Sequence, residues 1–304
     1  MKMKRIYQFA VVGALGMCVS SMASASSWLL SDGVAIDNEV IYSMKPGGGV
    51  EALKAADGSV VWTSTDADRP VQVQDGFVLA QRESDKSGEL LLRFLDTASG
   101  TVKASRALAL PDDVVARIDE KIDHRFSLSV PADTPSELVW RFERRPPQGM
   151  LGRVDGPPTT RTAGRLQTDF ATRNVVAATV PAPEPRRYDR VANVDFGVAG
   201  GRAFYSEDRQ HVLVSRRLDN RRGYQWYVHD AQGVLLGKWS SRVSYAPFLV
   251  RQGHALFLST PGARIEGDVV KSTGLELVAM HLARGEQSWA RAVRDTRYRG
   301  PMAP

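Results

Sequence analysis

Leu53-Lys54-Ala55-Ala56-Asp57-Gly58-Ser59-Val60-Val61-Trp62 decides how this 304-residue chain is read. A strand-like stretch runs into Ala-Asp-Gly, and a β-branched run ending in Trp leaves it. Gly at such a corner supplies the positive φ that a tight turn needs. The phrase, with Ala two residues before a turn residue, returns at Ala98-Ser99-Gly100, Ala171-Thr172-Arg173, Ala231-Gln232-Gly233 and Ala283-Arg284-Gly285. Successive turn residues lie 42, 73, 60 and 52 positions apart. A strand–turn–strand unit recurring at an irregular spacing points to a repeat architecture.

Working outward, alternating β-branched and aromatic segments fill the chain between turns. Phe77-Val78-Leu79-Ala80, Leu90-Leu91-Leu92-Arg93-Phe94, Leu138-Val139-Trp140-Arg141-Phe142, Val212-Leu213-Val214 and Ala255-Leu256-Phe257-Leu258 are examples. Each repeat parses as four strands, and the chain reads as all-β. One helix is expected, from Asp112 to Ile122, where Val114, Val115, Ile118 and Ile122 make an apolar stripe behind Pro111. Residues 111–125, 148–162 and 181–187 read as exposed insertions, rich in proline or charge, within one domain.

The N-terminus reads as an address. Lys2, Lys4 and Arg5 precede an apolar run from Phe9 to Val19, and Ala23-Ser24-Ala25 offers a small-x-small cleavage site. That run is too short to span a bilayer, which takes about 20 residues. Cys18 raises the lipoprotein alternative, but Met17 before it is not small. Cleavage after Ala25 is the expectation, giving an exported chain without cysteine and hence without disulfides. The formal charge of +6 then falls to +3, with a marked asymmetry. Residues 26–150 hold 14 Lys/Arg against 20 Asp/Glu; residues 151–304 hold 23 against 14. Such polarity orients a partner. Export argues against nucleic acid as that partner.

The opening stretch resembles the repeat of the pyrroloquinoline-quinone-like (PQQ-like) β-propeller family, Ala-Leu-Asp-Ala-x-Thr-Gly-Lys-x-x-Trp. Leu95 to Gly100 and Leu275 to Trp289 resemble further copies. The resemblance implies a propeller of four-stranded antiparallel blades, about five in number, with a sixth to be sought around Phe126–Val130. It also implies that a Trp four residues after the turn Gly wedges between blades. Trp62 and Trp289 match, Trp239 is displaced by two, and Ala104 and Ala177 replace the ring. Gly58, Gly100, Gly233 and Gly285 are the matching corners, and Tyr298 to Pro301 is expected to pack on the first blade.

The family includes quinoprotein alcohol dehydrogenases, which are longer, carry a vicinal disulfide and hold Ca²⁺. A mature chain without cysteine and about half that length departs from them, so no quinone or metal cofactor is expected. Gly-x-Ser-x-Gly, phosphate-binding and paired-histidine motifs are absent. The histidines are scattered. His229 and His281 fall just before turns, where Asp96 and Asp169 also lie, and are read as braces of the turn. Asp66-Ala67-Asp68 and Asp37-Asn38-Glu39 are read as solvated loops. The distinctive feature is arginine: Arg141, Arg144 and Arg145; Arg186, Arg187 and Arg190; Arg216, Arg217, Arg221 and Arg222. Guanidinium forks bind carboxylate and phosphate. The expectation is a monomeric, non-catalytic propeller of the cell envelope that binds an envelope protein, with peripheral contact to membrane or anionic polysaccharide. It looks like a degenerate relative of the propeller lipoproteins of outer-membrane β-barrel assembly. The alternative is a small-ligand enzyme or sensor using the central funnel.

Overall fold

Each turn phrase joins the last two strands of an antiparallel meander, and five such sheets make five blades. The computed structural model describes residues 28–30, 33–37, 39–121, 123–131, 134–144, 160–178, 202–206, 210–218, 223–241, 248–259, 263–266, 269–272 and 274–296. Blade 1 is β1 (Trp28–Leu30), β2 (Val34–Asp37), β3 (Val40–Met44), β4 (Val50–Lys54) and β5 (Val60–Ser64). Blade 2 is β6 (Arg69–Gln74), β7 (Phe77–Arg82), β8 (Glu89–Asp96) and β9 (Val102–Ala109). Blade 3 is β10 (His124–Ser129), β11 (Glu137–Arg144), β12 (Thr160–Asp169) and β13 (Asn174–Ala178). Blade 4 is β14 (Arg202–Tyr205), β15 (His211–Arg217), β16 (Tyr224–Asp230) and β17 (Leu235–Ser241). Blade 5 is β18 (Phe248–Arg251), β19 (His254–Ser259), β22 (Leu275–His281) and β23 (Glu286–Val293), with a hairpin of β20 (Ala263–Glu266) and β21 (Val269–Ser272) inserted in its middle. The chain is a five-bladed propeller. Phe126–Val130 belongs to the first strand of blade 3 and its exit, not to a sixth blade.

Alternation sends one face of each blade to the preceding blade and the other to the next. Among the described residues four buried apolar clusters follow from this, one each between blades 1 and 2, 2 and 3, 4 and 5, and 5 and 1. The tryptophans sit where the turn phrase places them. A Cβ on Gly100 would lie 2.5 Å from Trp62, and one on Gly58 would lie 2.8 Å from Trp289. Each ring therefore rests on the turn Gly of the next blade. Its Nε1 donates to a carbonyl of that turn: Trp62 to Thr97 O at 2.8 Å, Trp289 to Ala55 O at 3.0 Å. Burial of such a ring contributes about 2–3 kcal/mol. Trp289 belongs to the last blade and Gly58 to the first, so this wedge closes the ring.

The remaining seams differ. Trp239 stacks on Phe257 of blade 5 with centroids 5.9 Å apart, and at Gly237 the backbone of Leu282 comes too close for any side chain. Between blades 2 and 3, where Ala104 replaces Trp, Phe94 meets Phe170 edge-on at 5.5 Å. Arg173 lies over the Phe77 ring at 5.3 Å, and Arg106 donates to Asn174 Oδ1 at 3.1 Å. Among the described residues no tryptophan rests on that turn, and Arg stands there at φ 52°.

The expected helix is not found. Pro111 to Lys121 is a non-helical strap whose Val114, Ala116 and Ile118 are buried at every second position. The apolar residues 114, 115 and 118 suit a helical stripe, but the buried set has the period of an extended chain. Gly88 N donates to Val114 O, Gln81 Nε2 to Ala116 O, and Ile118 N to Glu83 Oε1, which fastens the strap to blade 2. The C-terminal segment joins it. Arg294 N donates to Met44 O of blade 1, and Glu120 N to Thr296 O. The N-terminal 25 residues, Cys18, residues 181–187 and Tyr298 to Pro301 lie outside the described residues.

Candidate functional site

Where strap, blade 2 and C-terminal segment meet, a cleft of about 400 Å³ is lined by Asp68, Arg82, Glu83, Asp85, Arg117, Asp119 and Lys121. Its charges are largely spent on one another. Arg294 reaches Glu83 at 2.7 Å and Asp119 at 2.6 Å, Arg117 reaches Asp85 at 2.9 Å, and Arg82 reaches Asp68 at 3.4 Å. Burial opposes the charge on Arg294, but hydrogen bonds to Asp119 and Glu83 outweigh it and raise its pKa. The cleft is thus an electrostatic clasp holding blade 2, the strap and the end of blade 5. Asp68, expected in a solvated loop, is buried here and accepts from Glu83 N at 2.9 Å. Asp66 is exposed, as expected. In the second loop burial raises the pKa of Asp37, Glu39 is exposed, and Asn38 lies outside the described residues.

The turn carboxylates behave as braces. Asp96 Oδ1 accepts from Ala98 N, Ser99 N and Ser99 Oγ, each at 3.0 Å. Asp169 holds Thr172 through its amide and hydroxyl. His281 Nδ1 accepts from Arg284 N at 3.4 Å. In the blade-4 turn Asp230, next to His229, accepts from Gln232 N and Val234 N. His229 is buried, and desolvation lowers its pKa against the pull of Asp230.

The arginines divide by face. On β11, Leu138, Trp140 and Phe142 enter the cluster shared with blade 2, so Glu137, Val139, Arg141 and Glu143 face the other way, toward blade 4. Register adds Arg125 and Arg161 on either side of Glu143, and Arg165 beside Val139. Arg165 pairs with Glu137 at 3.1 Å and Arg161 with Glu143 at 3.7 Å. Arg144 lies on the opposite face from Arg141. Arg216 shares the blade-3 side of β15 with Val212 and Val214, whereas Arg217 follows Leu213 toward blade 5. Of the predicted arginines, the structure brings Arg141 and Arg216 to one seam and separates Arg144 and Arg217 from it. Arg145, Arg186, Arg187, Arg190, Arg221 and Arg222 lie outside the described residues. Arg125, Arg161 and Arg165 join Arg141 only through strand register, which no run of adjacent arginines announces.

No family model and no curated protein matches this chain. Among solved structures it is similar to the uncharacterized protein lmo1340 of Listeria monocytogenes EGD-e, at 10% identity over 92% of this chain and 87% of that one, TM-score 0.31. BamB from Moraxella catarrhalis matches at 16% identity over 88% of this chain and 63% of its own length, TM-score 0.24. A europium-containing methanol dehydrogenase matches at 11% identity over 86% and 68%, TM-score 0.25. The propeller assignment rests on the five sheets of this chain and the way they dock.

Proposed function

We propose that this chain is a non-catalytic binding module of the bacterial cell envelope, exported by its N-terminal segment, that presents a rigid basic face to an acidic protein partner. The observation that carries this reading is the gathering of Arg125, Arg141, Arg161 and Arg165 on one face of blade 3, where Arg125 pairs with Glu120 at 2.7 Å, Arg161 with Glu143 at 3.7 Å and Arg165 with Glu137 at 3.1 Å. Complementary charge of this kind sets encounter rate and register. The paired charges of the cleft favour surface recognition over a small ligand in the funnel. Partners of outer-membrane protein assembly are the first to try. Crosslinking in living cells, followed by purification of the full chain, should recover specific envelope proteins, and purification without crosslinker should retain fewer of them as ionic strength rises. Recovery of nothing above a control carrying only residues 1–25 would contradict the reading.

A further inference from the structure

The histidines are scattered in the sequence, and the β-ladder of blade 5 sets two of them side by side. His254 on β19 is the register partner of His281 on β22, which in turn stands opposite Glu286 on β23. Leu256 and Ala279, two positions along the same strand faces, enter the cluster shared with blade 1. The row of three therefore lies on the blade-1 side of blade 5, at the end where Trp289 closes the ring. Both imidazoles are half-buried, and their centroids are 5.1 Å apart with the ring planes at 74°.

Hydrogen bonds select the tautomer of each ring. His254 Nδ1 lies 3.0 Å from Gln252 O, a carbonyl that can only accept, so this nitrogen carries the proton. Its Nε2 then holds the lone pair, which meets Ser288 Oγ at 3.0 Å. Arg284 N donates to His281 Nδ1 at 3.4 Å, which places the second lone pair there. Neither lone pair is held firmly, because a hydroxyl rotates away and 3.4 Å is long for a hydrogen bond. A carbonyl behind the other ring nitrogen is the support that orients a metal-binding imidazole. A metal 2.0–2.1 Å from an imidazole nitrogen lies about 3.2 Å from the ring centre. Two rings that share it at right to tetrahedral angles have centres about 4.5–5.3 Å apart, which brackets the separation found here. Among the described residues no three His, Cys, Asp or Glu gather as a metal cage, so the two imidazoles are the anchor. Glu286 is exposed and makes no ion pair among the described residues, and it stands beside His281 to balance charge. Arg251, next to His254 in the ladder, turns Nη1 to Val250 O.

We infer that His254 and His281 bind one late first-row divalent cation of the Zn²⁺ and Cu²⁺ class, with water in the remaining positions. Imidazole suits these ions, whereas Mg²⁺ and Ca²⁺ take oxygen ligands. The cation ties β19 to β22 beside the closing wedge, so its binding raises the thermal midpoint.

The test titrates Zn²⁺ into the untagged full chain by calorimetry, and one ion per chain is expected. His254→Gln and His281→Gln should each weaken binding at least tenfold, since a two-imidazole anchor does not survive the loss of either. Ser288→Ala removes only the competing hydroxyl and should bind at least as tightly as wild type. Zn²⁺ should raise the thermal midpoint of the wild-type chain and leave that of His254→Gln unmoved. Electron paramagnetic resonance of Cu²⁺ bound one to one to the wild-type chain reads the site without any variant, as nitrogen coupling from two imidazoles. The site is overturned by no binding to the wild-type chain, or by either histidine variant within twofold of it. A Ser288→Ala chain that binds tenfold more weakly, or coupling from fewer than two imidazoles, overturns it equally.

Discussion

Gly100 and Gly233 occupy the same place in two copies of one phrase, at φ 71° and φ 85°, and only Gly100 has a tryptophan resting on it. The left-handed backbone costs any L-residue about 1 kcal/mol. At Gly100 a methyl must also displace Trp62, which adds about 1–3 kcal/mol of overpacking. Gly100→Ala is therefore expected to destabilise the chain by about 2–4 kcal/mol in equilibrium urea unfolding, and Gly233→Ala by about 1 kcal/mol. Truncating the ring with Trp62→Leu should make Gly100→Ala nearly costless beyond the backbone term, a non-additivity that only a direct contact produces. Arg173 is the natural counterpart: its seam has lost the ring, and the turn has lost the glycine.

At the scale of the element, each outer hairpin is fixed by a carboxylate or imidazole folded back onto its own turn. Hydrogen bonding from Ser59 lowers the pKa of Asp57, from Ser99 that of Asp96, and from Thr172 that of Asp169. A carboxyl group whose folded pKa is depressed gives stability that is complete above its unfolded value, about 3.9, and lost as pH falls through the lower folded value. Asp96→Asn should thus lower the thermal midpoint by an amount constant from pH 7 to pH 5, and the gap to wild type should close below about pH 4. A gap that widens in acid would contradict the brace. These corners were legible in the sequence because turn chemistry is local: Gly58, Gly100, Gly233 and Gly285 all have positive φ as read. In blades 1, 2, 4 and 5 the pairing of the last two strands shifts register after the turn, and in blade 3 it does not. That relation between two strands was not legible, and so Ala177 was given a position that belongs to Val176. The same limit hid the basic face. Arg141 and Arg144 adjoin in sequence and part in space, while Arg125, Arg141, Arg161 and Arg165 converge from three strands. In the strap, apolar residues at 114, 115 and 118 suit a helix, and tertiary burial at 114, 116 and 118 decided for extended chain.

For the whole molecule, seams decide how a ring of weakly alike blades becomes one body. Blade 5 closes on blade 1 through Trp289, through Arg291 and Glu51 at 3.2 Å, and through Arg294 N to Met44 O at 3.0 Å. The seam between blades 3 and 4 carries Val176, 49% exposed, at the place that Trp62 and Trp289 take in theirs. Native-state hydrogen exchange followed by mass spectrometry tests this most directly, because local opening reports how well each element is sealed. The outer strands β5 and β23 should be protected through their wedges, whereas the amides of β13 and of the blade-4 turn at 231–235 should exchange at least tenfold faster. Equal protection of β5, β13 and β23 would contradict the account.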